Sequence, residues 1–159
     1  LTQEQILEYL SEITDPEIPV LNIVEMGIIR SVSFHNEKVC VTITPTYSGC
    51  PAMKMIEDNI VEKLKEKGCE NVELKTVFAP TWTTDWLSEE TKMKLRNARI
   101  APPSRIVGKC IAKNFPDSLA CPYCASANTE LRSAFGSTAC KSFYYCNECL
   151  QPFEKFKEI

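Results

Sequence analysis

A chain of 159 residues, 44% hydrophobic and 25% charged, can bury an ordinary core and carry a small appendage, which excludes wholesale disorder. No apolar run approaches the ~18 residues of a membrane span. The opening Leu1-Thr2-Gln3-Glu4-Gln5 lacks the basic start of a secretory leader, so a cytoplasmic protein without a membrane partner is expected. A formal net charge of -3 argues against nucleic acid as a partner.

Thr2-x-x-Gln5 has the form of a capping box, followed by Ile6, Leu7, Leu10 and Ile13 at helical spacing. Asp15-Pro16 stops that helix, since a residue before proline is pushed out of the helical region. Pro19 and Asn22 suggest an ordered loop as far as Gly27. Ile28–Phe34 and Val39–Thr44 read as a hairpin joined by His35-Asn36-Glu37-Lys38. In its second strand Val39, Val41 and Ile43 share one face, Cys40, Thr42 and Thr44 the other.

The loop from Thr44 to Pro51 opens a second helix, with Pro51 at the first helical position and Cys50 as its cap. Met53, Ile56, Ile60 and Leu64 form that helix's apolar stripe, and Gly68 follows its lysine-rich end as a stop. Asn71–Phe78 is a third strand, Pro80–Trp86 an aromatic loop, and Ser88-Glu89-Glu90 the start of a short helix. Pro102-Pro103, Gly108 and Pro116 punctuate a connecting segment. The expected architecture is α+β: a helix–hairpin–helix–strand domain over residues 1–100, a connector over 101–117, and a four-cysteine zinc ribbon over 118–159.

Nine cysteines without a leader point to metal rather than a disulfide framework. Cys121-x-x-Cys124 and Cys146-x-x-Cys149, 21 residues apart, supply the four soft ligands of a structural Zn²⁺. Thr129–Phe135 and Thr138–Tyr145 would form strands between them around Gly136-Ser137. The basic surplus of residues 101–159, seven cations against five acids, could offset a tetrathiolate site. With so little core in the segment, the metal would supply its folding energy. Cys140 reads as a buried hydrophobe or a second thiol site, and Cys40, Cys69 and Cys110 as structural.

Cys50 at a helix start should have a lowered pKa, because the partial positive charge there favours thiolate. The preceding Thr46-Tyr47-Ser48-Gly49 could present backbone N–H groups to an anion or a cluster sulfur. On position alone, Cys50 is equally a cap without chemistry. Asp15 and Glu17 could bind a hard cation or simply cap the turn. Trp82 and Trp86 could form a partner surface or the lid of the core. A single histidine, His35 in a turn, excludes most histidine-dependent catalysis.

Asp15-Pro16-Glu17-Ile18-Pro19-Val20, Glu25–Ile29 and Thr44–Pro51 resemble the SufT/PaaD-type iron–sulfur assembly family. Trp82-Thr83-Thr84-Asp85-Trp86, Ile100–Pro103, Phe135–Lys141 and the four-cysteine tail narrow that likeness to the ribbon-bearing members. The resemblance implies a non-catalytic accessory of the multicomponent phenylacetyl-CoA ring-epoxidising monooxygenase in phenylacetate degradation. Such a protein would assist iron–sulfur or iron cofactor assembly for its reductase or oxygenase subunits. The family's cysteine maps onto Cys50, with Asp15, Glu17, Thr46, Ser48 and Gly49 in support. One cysteine cannot hold a cluster alone, so a second copy of the chain, another residue or the client must complete a transient iron or Fe–S site. The competing readings are a structural subunit of the oxygenase, a nucleic-acid-binding ribbon, and a thiol oxidoreductase using a C-x-x-C pair.

Overall fold

The computed structural model describes residues 1–104 and 119–159, and the chain divides into two units. The first comprises Leu1–Leu87 with Ile159, and the second Ser88–Glu158. Most of the expected connector, with Gly108, Cys110 and Pro116, lies outside the described residues.

In the first unit, α1 (Gln3–Ser11) begins with the expected capping box: the Gln5 N–H donates to Thr2 Oγ1 and the Thr2 N–H to Gln5 Oε1. Ile6 and Leu10 bury its apolar face. The loop after it is built by side-chain acceptors. Asp15 Oδ1 receives the Glu17 and Ile18 N–H groups at 2.8 Å, and Asn22 Oδ1 those of Val24 and Glu25.

Strands β1 (Ile29–His35) and β2 (Lys38–Ile43) pair antiparallel around a two-residue turn. Asn36 and Glu37 both have positive φ, the conformation whose twist matches the flanking strands. Val39, Val41 and Ile43 are buried, while Cys40 and Thr42 are half-buried, as the alternation predicts. Helix α2 (Ala52–Glu66) then crosses over to β3 (Val72–Thr76), which joins β2 in parallel. Ala52, Ile56, Ile60 and Leu64 form its buried stripe, and Gly68 follows its C-terminus with φ +89°. The sheet order is β1-β2-β3, with α1 against α2 and β1, and α2 against β3. A 3₁₀ turn at Thr84–Trp86 closes the unit.

In the second unit, Ser88 caps α3 (Glu89–Asn97) by accepting the Thr91 N–H. This helix packs against β4 (Ile100–Ala101), which pairs in parallel with β7 (Pro152–Phe156). That pairing draws residues 88–101 into the ribbon-bearing unit. Strands β5 (Thr129–Ser133) and β6 (Lys141–Cys146) complete a sheet of order β4-β7-β6-β5. Phe153, Ala101, Cys121 and Cys146 form its buried centre, with Tyr144 stacked on Phe153.

Candidate functional site

The four ribbon cysteines converge from two turns of the same design. The Ala125 N–H donates to the Cys121 carbonyl, and the Cys121 N–H to the Ser126 carbonyl. In the second turn the Cys146 N–H donates likewise to the Gln151 carbonyl. Ala125 and Leu150, each following the second cysteine of its pair, adopt φ of 62° and 61°. These turns aim backbone N–H groups at sulfur: Tyr123 at Cys121, Ser126 at Cys124, Glu148 at Cys146 and Gln151 at Cys149. All four Sγ atoms lie within 4.8 Å of one another, with Cys121–Cys149 at 3.7 Å and Cys124–Cys146 at 3.6 Å. A tetrahedral ion with ~2.3 Å metal–sulfur bonds sets its ligands about 3.8 Å apart, so the constellation fits a tetrathiolate metal.

The electrostatics call for a cation. N–H donation from Cys149 and Glu148 pulls the Cys146 thiol down to about 7, while burial and the neighbouring sulfurs push Cys149 up to about 12. One thiolate forms readily and resists the rest. A divalent ion removes that conflict.

Cys140 is buried and lies 3.1 Å from Thr138 Oγ1, the setting of a structural thiol. It sits in a braced loop. Lys157 gives its N–H to the Cys140 carbonyl and its ammonium to the Ala139 carbonyl. Glu154 accepts from the Ser137 N–H and hydroxyl and pairs with the Lys141 ammonium at 3.2 Å.

In the first unit Cys50 is half-buried at the mouth of α2. Pro51 takes the cap position and Ala52 opens the helix, so the expected boundary moves by one residue. The Cys50 N–H closes a turn onto the Tyr47 carbonyl. Gly49 within that turn has φ +79°, a conformation rather than a space that favours glycine. Thr46 is buried, and Ser48 and Gly49 are exposed.

The expected lowering of the Cys50 pKa is corrected. Burial pushes the thiol up, and the charges of Glu17 and Asp15 add to the rise; the Ala52 N–H and the Tyr47 hydroxyl oppose it and are outweighed. The helix start does supply an N–H to sulfur, but desolvation and two carboxylates win. Cys50 is therefore a neutral thiol at rest, in a negative environment. The charges of Asp15 and Glu17 act on the thiol, and the Tyr47 hydroxyl joins them, a residue without an assigned role in the sequence reading. Its spacing, three residues before a cysteine in a turn, was the available signal. Among the described residues, the ribbon cysteines are the only group of three or more Cys, His, Asp or Glu arranged to hold a metal ion. Cys50 with Asp15 and Glu17 is not a closed site.

Trp82 is also corrected. It is buried, its Nε1–H donating to the Met26 carbonyl at 2.7 Å, so it belongs to the core and not to a partner surface. Trp86 is half-buried, edge-on to Trp82 at 6.5 Å, with the Arg30 guanidinium 4.2 Å above its ring.

A small α+β unit with one cysteine at a helix mouth, followed by a four-cysteine ribbon, defines a class of two-part, metal-site proteins. Two family models divide the chain accordingly: "Iron-sulfur cluster assembly protein" over residues 3–75 and "PaaD zinc beta ribbon domain" over residues 111–157. An Escherichia coli K12 protein, named as one subunit of a "putative 1,2-phenylacetyl-CoA epoxidase", is 42% identical over 98% of this chain and 92% of its own length. The chain belongs to this PaaD family. An Fe-S protein maturation auxiliary factor of Porphyromonas gingivalis is 36% identical over 59% of this chain and 90% of its own. The crystal structure of a domain of unknown function from Bacillus anthracis matches with TM-score 0.54 at 25% identity, over 58% of this chain and 90% of that one. No described helix is long and apolar enough to cross a membrane.

Proposed function

We propose that this protein is a non-catalytic maturation factor that hands iron or an iron–sulfur unit to a component of a phenylacetyl-CoA ring-epoxidising monooxygenase. The observation that carries this reading is the open Cys50 site. A half-buried thiol feels the charges of Asp15 and Glu17, with too few ligands to retain a cargo. A cationic iron centre suits that environment, because it can displace the thiol proton and meet the carboxylates' charge. An electrophile that needs a free thiolate suits it less well. Incomplete ligation makes release easy, and the client or a second copy of the chain would supply the remaining ligands.

The four ribbon cysteines hold one structural Zn²⁺. The ion's role is to neutralise the thiolates and fix the two turns, with all four positions taken by protein and none open to water.

The relative's naming as a subunit favours a second reading, a permanent structural component of the oxygenase. Complementation separates the two. In cells lacking the native protein, Cys50→Ala should accumulate normally, retain zinc, and fail to restore oxygenase activity. Full restoration would overturn the carrier reading. Constant stoichiometric presence in the purified, active complex would favour the structural one.

A further inference from the structure

The second unit contains a cavity of about 560 Å³, apart from the cysteines, that neither the metal site nor Cys50 uses. Lys92 and Arg96 of α3 and Lys155 of β7 line it, together with apolar surface from Met93, Pro103 and Leu119. Its volume is in the range of small-molecule sites, roughly 300–1,000 Å³.

The cations are unusual. Lys92 and Lys155 are 9% and 4% exposed, and burying an ammonium is costly unless it is well paired. Each has a single carboxylate, three residues away on its own stretch of chain: Glu89 at 3.3 Å and Glu158 at 2.8 Å. The Glu89 side chain is 81% exposed, so water weakens its hold on Lys92. An ammonium has three donors. Among the described residues no further acceptor meets either one, and the Arg96 guanidinium has no ion pair or hydrogen bond. Among the described residues, three cations against two carboxylates leave one positive charge unbalanced.

We propose that this cavity binds a small organic carboxylate. Its anionic head would lie among Lys92, Lys155 and Arg96, and its apolar body against Met93, Pro103 and Leu119. The unbalanced charge matches a monoanion, and the apolar side chains beside the cations would receive the body of an organic acid.

Titration of the zinc-loaded full chain, followed by backbone amide chemical shifts, tests this with benzoate, its neutral counterpart benzyl alcohol, and inorganic phosphate. Benzoate should bind saturably and shift amides of α3, Ala101 and Lys155, while benzyl alcohol binds at least tenfold more weakly, about the effect of one charge-assisted hydrogen bond. Arg96→Gln, at an exposed and unpaired position, should weaken benzoate about tenfold by the same reasoning. Glu89→Gln, which removes a competing carboxylate, should strengthen it. Cys50→Ala should leave the titration unchanged, so failure here is distinguishable from failure of the carrier reading. Equal binding of benzoate and benzyl alcohol, saturable binding of phosphate alone, or no saturable benzoate shift would each overturn the proposal.

Discussion

Trp82 and Met26 are joined by a hydrogen bond of 2.7 Å that ties the aromatic loop to the end of the Asp15–Gly27 loop, inside the core of the first unit. Gly27 beside that bond is favoured by its φ of +70°, not by space: a Cβ there would meet Trp82 Nε1 at 3.5 Å and the Trp86 ring at 3.7 Å, ordinary contact distances. Trp82→Phe would leave a gap where the indole's second ring packs and the Met26 carbonyl without its buried donor, at a cost of at least about 1–3 kcal/mol. Denaturant unfolding should show a lower midpoint with an unchanged slope. An unchanged midpoint would mean that the bond contributes nothing net.

The metal site predicts one zinc per chain and a selective failure when a ligand is lost. Cys146→Ser should abolish zinc retention and unfold the ribbon, because the buried Cys146 side chain is both ligand and core. Both tryptophans lie in the first unit, so their fluorescence should report an intact fold there while the second unit's amides lose their dispersion. Well-folded protein free of zinc would contradict this.

Cys50 should be a slow nucleophile. Its raised pKa keeps it protonated at neutral pH, so iodoacetamide should modify it more slowly than an unperturbed thiol, as followed by mass spectrometry of the Cys50 peptide. Glu17→Gln removes one of the charges that raise the pKa and should speed the reaction at pH 8. An identical rate in that variant would show that Glu17 does not act on the thiol.

Glu154 makes part of the ribbon's stability depend on pH. Burial pushes its carboxyl up, but the Ser137 N–H and hydroxyl and the Lys141 ammonium outweigh this and hold it below its ordinary 4.5. A carboxyl lowered on folding stabilises the fold above 4.5, and that contribution is lost as pH falls through the lower, folded value. Glu154→Gln should therefore be less stable than the parent near pH 7, and the gap should narrow below 4.5. Parallel stability curves for the two proteins would refute the linkage.

Much of this was legible because local rules dominate. The Thr2–Gln5 box, the alternation in β2 and the paired C-x-x-C turns depend on neighbours within a few residues, so spacing alone locates them; the first helix ends at Ser11, short of Ile13 and of the expected Asp15-Pro16 stop. Strand β7 was missed because Pro152–Phe156 is short and opens with proline, and only pairing with β6 and β4 makes it a strand. Residues 88–101 group with the ribbon through that same pairing, which local spacing does not encode. At Cys50 the sequence offered the helix terminus but not the burial or the approach of Glu17 and Asp15 from another loop. A local electrostatic rule gave the wrong sign there because tertiary terms were larger. The Trp82 loop could be read as surface or core until its partner, Met26, was known.

Two close sulfur pairs in the ribbon run between the two turns, Cys121 with Cys149 and Cys124 with Cys146. If an oxidant reached the zinc-loaded ribbon, two thiolates of a pair would pass two electrons to it and join, expelling the ion. The first bridges should therefore follow those pairs and not the sequence-adjacent cysteines. Each would fasten one turn to the other, leaving a covalent record of the metal geometry after the metal had gone. Peptide mapping of oxidised apoprotein would find cross-turn bridges, where a C-x-x-C redox catalyst would show loops closed within a single turn.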